Sequence, residues 1–238
     1  MIQRLHESGK LTLTILLVVF SLFSFGLSIV HSYATSTRGF LFLNWNLFLA
    51  FLPWAATTYI TLYSHTTKTL TLAILLGLWL LFFPNSPYIL TDLFHLLDRG
   101  KSPMWFDLIM ILSFAWTGLL FGFISLFEIE KMLASTLKPK VVHLVVSTMI
   151  FLASFGVYLG RYQRWNSWDI FKSPIGLFAD ISDRFLNPLA HSRTWGFTVL
   201  MGLLLVMMYW TLKLFRSGMT SGALSPLHSR ATNYESGK

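Results

Sequence analysis

Apolar residues run along this chain in six long stretches separated by short polar connections. The stretches are Leu11 to Val30, Phe40 to Tyr63, Thr69 to Phe83, Leu108 to Phe127, Val141 to Gly160 and Thr194 to Leu212, and none contains Asp, Glu, Lys or Arg. About 20 apolar residues in a helix cover roughly 30 Å of hydrocarbon, so the pattern predicts an all-α integral membrane protein, a bundle of six transmembrane helices. Arg4 and Lys10 precede the first stretch and Ala34 follows it. Its length nevertheless exceeds the roughly 7 to 15 residues of a signal core, so it reads as a retained span. The third stretch is the shortest, and Phe82, Phe83 and Tyr88 place its end near the interface. Residues 1–216 thus form one membrane domain, and Ser217 to Lys238, rich in Ser, Gly and Thr, reads as a flexible polar tail.

Two connections carry a helical period of their own. In FPNSPYILTDLFHLLDRG, Phe83 to Gly100, Pro84 stops the preceding helix, Ser86 and Pro87 offer an N-cap and a first-turn proline, and Gly100 is placed to end the new helix. Tyr88, Asp92, His95 and Arg99 then share one stripe, opposite Ile89, Leu93 and Leu96. After Pro174, Leu177, Phe178, Ile181 and Phe185 share an apolar side, and Pro188 follows. Both segments predict short interfacial amphipathic helices, the first lying along the interface or folded back over the bundle.

Composition fits the same picture. Of 238 residues 54% are hydrophobic and 12% charged, against about a quarter charged in soluble domains. The net charge of +8 is scattered over short connections and never forms a stripe, which argues against nucleic acid and for anionic lipid headgroups. With six spans, Lys and Arg slightly favour the side that holds both termini, which the positive-inside rule makes cytoplasmic. Asp92, Asp98, Asp107, Asp169, Asp180 and Asp183 all fall on the other side. Cysteine is absent, so a metal would need His, carboxylate or amide ligands.

The candidate chemistry gathers on that Asp-bearing side. Asp92 and His95, one turn apart, could hold a divalent metal together with Asp169, or act as an acid/base couple. A water-facing polar stripe explains the same spacing. At the end of the fifth span, YLGRYQRWNSWD supplies Arg161 and Arg164 for an anionic group, with Asn166 and Asp169 reaching toward Asp92 and His95. Ordinary belt Trp and snorkelling Arg explain these residues equally well. Tyr88, Arg99, Asn85 and Asn44 complete the candidate ligand-binding set; Asn44 and Asn46 flank Trp45, and helix packing is their default role. Asp107 fits the dipole of the fourth span, and His31 and His143 stand alone in the sequence.

Taken together, PNSPYILTDLFHL at Pro84 to Leu96 and LGRYQRWNSWD at Leu159 to Asp169 resemble the bacterial membrane-protein family catalogued as domain of unknown function 1361, over nearly the whole chain up to the tail. The resemblance implies a bacterial cytoplasmic membrane and no activity. Three functions compete: a membrane enzyme or binding protein whose interfacial site takes an anionic or lipid-linked ligand, a transporter of a neutral solute, and a non-catalytic assembly partner. Ion-coupled transport is disfavoured, because the six spans hold no ionisable carboxylate or cation.

Overall fold

A computed structural model of the chain describes residues 2–63, 68–97 and 102–235, apart from the side chains of Leu97 and of 218–235. Regular structure among the described residues is entirely helical. It comprises α1 (Ile2–Glu7), α2 (Leu11–Thr35), α3 (Phe42–Tyr63), α4 (Thr69–Phe82), α5 (Asn85–Tyr88), a 3-10 segment (Ile89–Leu97), α6 (Met104–Ala134), α7 (Pro139–Tyr162), α8 (Asp169–Lys172), α9 (Pro174–Leu186) and α10 (Ser192–Glu235). The last helix continues through the segment whose composition predicts a flexible tail, past Gly218, Gly222 and Pro226.

Five runs are long and apolar enough to cross a membrane: Leu11–Thr35, Thr69–Leu96, Met104–Ala134, Pro139–Tyr162 and Ser192–Ser217. The 22 residues of α3 would also reach across, but Asn44, Trp45, Asn46, Pro53, Trp54 and the Thr and Tyr residues dilute its hydropathy. Its two ends nonetheless sit at opposite ends of the bundle. Asn44 near its start exchanges hydrogen bonds with Ser28 of α2, and Tyr63 at its end lies under the Arg4 guanidinium, 4.5 Å from the ring centroid.

Polar cross-links brace α2 to the antiparallel α6 at both ends. Lys10 meets Glu128 at 2.6 Å, and His31 Nε2 lies 3.3 Å from Asp107 and 3.0 Å from Ser102 Oγ. The braces are 21 residues apart on each helix, about 32 Å at 1.5 Å per residue, close to the thickness of a bilayer core. Glu130 joins Lys213 and Tyr209 of α10 at the Lys10 end. The axis of the bundle is α6, two thirds of whose apolar window is buried, against a sixth for α2.

Sequence pattern predicts an amphipathic helix after Pro84, along the interface or folded back over the bundle, and the structure packs this segment within the bundle. The backbone continues from α4 through α5 and the 3-10 segment along α6, burying Ser86, Pro87, Ile89, Thr91 and Asp92. Two glycine pairs admit it. A Cβ at Gly122 would lie 2.6 Å from Ser86 Cβ, and one at Gly118 would lie 2.7 Å from Ile89 Cδ1. On α7, a Cβ at Gly156 would meet Pro84 at 2.9 Å and one at Gly160 would meet Tyr88 at 3.1 Å. Each pair is a G-x-x-x-G, the spacing that lets helices approach closely in lipid. Ser86 accordingly caps nothing: its hydroxyl donates to the Ala50 carbonyl of α3 at 3.2 Å. The prolines reshape the strand of backbone without ending it, and nine residues follow in 3-10 form, where three or four are usual. The Gly100 stop and Asp98 lie outside the described residues.

Candidate functional site

In a 3-10 turn, residues three apart eclipse one another, so Asp92 and His95 do share a face. That face is turned inward at Asp92, which is fully buried. Its Oδ2 accepts a 2.8 Å hydrogen bond from Asn46 Nδ2 of α3, and its Oδ1 one of 3.2 Å from Arg161 Nη1 of α7. Arg161 also donates through Nη2 to the Thr91 carbonyl at 2.5 Å, with its guanidinium 5.8 Å from the Tyr88 ring and 5.4 Å from the Phe94 ring. A buried carboxylate needs a paired charge and hydrogen bonds to both oxygens. Asp92 has both, and it locks α3, the 3-10 segment and α7 together. His95 is half-buried, its ring packed edge-on against Phe42 with the centroids 5.1 Å apart.

The other sequence candidates divide. Asn85 donates to the Phe82 carbonyl and to Ser167 Oγ, each at 3.0 Å, which ties α5 to the connection after α7. Asn44 is a packing residue between α2 and α3. Arg164 is exposed and adopts φ 60°, a left-handed turn that brings the Trp165 amide back to the Leu159 carbonyl at 3.1 Å. Asn166 and Asp169 bind each other: the Asn166 amide and Nδ2 both donate to Asp169 Oδ2, at 2.7 and 3.1 Å. Asp169 is therefore engaged locally, and among the described residues no three of His, Asp and Glu gather as a metal-binding group. The three-ligand set Asp92, His95 and Asp169 is not assembled. Arg99 lies outside the described residues.

Sequence reasoning missed what the locked seam borders. A cleft of about 690 Å³ opens between α3 and α4 on one side and α7 on the other. Its long wall is apolar, from Ile74, Gly77, Leu78, Leu81, Leu152, Phe155 and Leu159; its end is Asn46, Asn85, Tyr88, Asn166 and Ser167 with Trp45, Trp165 and Trp168. Asp92 and Arg161 stand behind that end without lining it. Over it lies α9, contributing Leu177, Ile181 and Phe185. The Trp165 indole donates to Asp180 of α9 at 2.7 Å, the buried Arg184 pairs with Asp180 at 3.1 Å, and Phe185 packs against Phe155 and Trp195. Burial pushes the pKa of Asp180 up, but the bonds from Trp165 and Arg184 outweigh it and hold the carboxyl below its ordinary range. The G-x-x-x-G pairs were legible in the sequence and would have placed α5 inside the bundle. The cleft has no such signature, because its walls come from elements far apart in the chain.

Long apolar helices packed around a buried polar lock mark a polytopic helical membrane protein. The chain belongs to the family described as Protein of unknown function (DUF1361), whose model matches residues 45–208, from α3 into α10. No curated protein and no solved structure matches it.

Proposed function

We propose that this protein crosses the membrane six times and binds an amphiphilic ligand, which enters the cleft sideways from the lipid phase and sets its headgroup against Asn46, Asn85 and Tyr88. The carrying observation is the cleft itself: its volume lies within the roughly 300 to 1,000 Å³ of small-molecule sites, with one long apolar wall and a few converging polar groups at one end. The six-span reading is supported by α3 joining both ends of the bundle, and under it the cleft's polar end lies on the side away from the termini. In this reading Asp92 and Arg161 are positioning residues that aim Asn46 and Tyr88, and α9 with the Trp165–Asp169 connection lies at the interface over the headgroup.

Gly77 provides the test. A Cβ there meets nothing within 4 Å although the residue lines the cleft, so Gly77→Phe fills the cleft without disturbing the packing. Lipid retained by the purified protein is counted by native mass spectrometry. The wild type is expected to hold about one molecule that Gly77→Phe loses at unchanged melting temperature; equal retention by both would overturn the proposal.

A further inference from the structure

The chemistry left open at the polar end specifies the headgroup. Asn46 spends its amide nitrogen on Asp92, and Asn85 spends its own on the Phe82 carbonyl and Ser167. These partners fix which way each amide points, because a carboxylate and a carbonyl can only accept. Both carbonyl oxygens, Asn46 Oδ1 and Asn85 Oδ1, are then acceptors on cleft-lining side chains, and no described residue donates to either. Ser167 Oγ, which accepts from Asn85, has its proton committed to the Leu81 carbonyl at 3.2 Å.

Charge points the same way. Among the described residues the cleft is lined by no Lys, Arg, Asp or Glu. Of the guanidiniums around it, Arg161 is used up by Asp92 and the Thr91 carbonyl between two rings, Arg184 is paired with Asp180, and the exposed Arg164 does not line the cleft. A phosphate offers only acceptors and one or two negative charges, and would meet uncommitted carbonyl oxygens in a cleft that no cation lines. A hydroxylated group donates to those oxygens without the cost of desolvating a charge. Trp45, with half its surface exposed, stands 6.3 Å from Trp168, and the two indoles offer apolar faces for the C–H side of a flat polyol ring.

We infer that the ligand is a lipid with a neutral, polyhydroxylated headgroup, of the glycosyl-diacylglycerol kind, whose hydroxyls donate to Asn46 and Asn85 beside the Trp45–Trp168 pair. This rests on the cleft reading above and replaces the anionic headgroup that net charge suggests.

Three lipids with identical doxyl-labelled acyl chains are titrated against the full-length protein in neutral nanodiscs, reading quenching of tryptophan emission: monoglucosyl diacylglycerol, phosphatidylglycerol and phosphatidylethanolamine. The glucosyl lipid is expected to bind at least tenfold tighter than either phospholipid. Asn85→Leu, which removes one acceptor along with the bonds to the Phe82 carbonyl and Ser167, is expected to cut that preference at least fivefold by weakening the glucosyl lipid far more than phosphatidylglycerol. Should Asn85→Leu fail to fold, Trp45→Ala replaces it with the same expectation. Equal or tighter binding of either phospholipid overturns the headgroup assignment while the cleft stands, provided Gly77→Phe still abolishes the quenching. Quenching that survives Gly77→Phe overturns the cleft, and the headgroup with it.

Discussion

Asp92 draws its significance from being a carboxylate with no exposed surface beside a guanidinium that is itself mostly buried. Removing one member of such a pair leaves the other stranded, which typically costs about 3–5 kcal/mol, whereas replacing both with apolar groups is often neutral. Asp92→Asn is therefore expected to lower the melting temperature in detergent more than Asn46→Ala does. The double substitution Asp92→Leu with Arg161→Met is expected to recover most of the loss without recovering lipid retention, since Asn46 is no longer aimed. Equal losses for Asp92→Asn and Asn46→Ala, or no recovery in the double variant, would count against the lock. The sequence made Asp92 and Arg161 visible as candidates because ionisable residues beside apolar runs are rare. It could not pair them, since they are 69 positions apart and meet only through the turn at Tyr88. Asp169 and Asn166 went the other way: three residues apart, they satisfy each other first, and local hydrogen bonds of Asp and Asn commonly win such competitions.

The element at stake is the segment from Pro84 to Leu97, wedged between α6 and α7. Because Cβ atoms at Gly118, Gly122 and Gly156 would fall closer than any real contact, Gly122→Val is expected to destabilise by about 1–3 kcal/mol, as overpacking does. Gly26→Val and Gly196→Val serve as controls, because a Cβ at either position meets nothing within 4 Å. A melting series in which all three variants behave alike would remove the wedge. Pro84 and Pro87 read as a stop followed by a new helix when neighbours are unknown; the glycine pairs let lipid-buried packing override that local reading. The second amphipathic segment, α9, was legible in position and period, though not in what holds it. That hold is titratable. Since the folded-state pKa of Asp180 is lowered, its contribution is complete above the ordinary carboxylate value and is lost as pH falls through the lowered one. A fluorophore on Ser182→Cys is thus expected to report steady docking of α9 from neutral pH down to about pH 4 and release below it. With Asp180→Asn added, the released signal should be present throughout; an unchanged acid transition in that variant would assign the hold to another group.

Across the whole molecule, five helices are apolar enough to cross and the proposed reading adds a sixth, and the difference turns on α3. Its amides and aromatic residues lower its hydropathy because they are spent on neighbours, Asn44 on Ser28 and Asn46 on Asp92, where a window average sees only polarity. If α3 crosses, the connection after α2 and the connection after α7 share a side; if it does not, every later connection is inverted relative to the first. The chain has no native Cys, so single Cys residues at the exposed Ser8, Ser36, Ser135 and Ser173 can be tested with an impermeant maleimide on intact cells. Six crossings predict that Ser36 and Ser173 label together, and that Ser8 and Ser135 label only after permeabilisation. Five crossings would instead pair Ser36 with Ser135 and Ser8 with Ser173. That second outcome would separate Asn46 from Asp92 across the membrane, and neither the lock nor the cleft end could then form. Pairing of Ser36 with Ser173 leaves the side they share to be read from which pair the reagent reaches first, and the slight excess of Lys and Arg on the side that holds the termini predicts that Ser36 and Ser173 face outward.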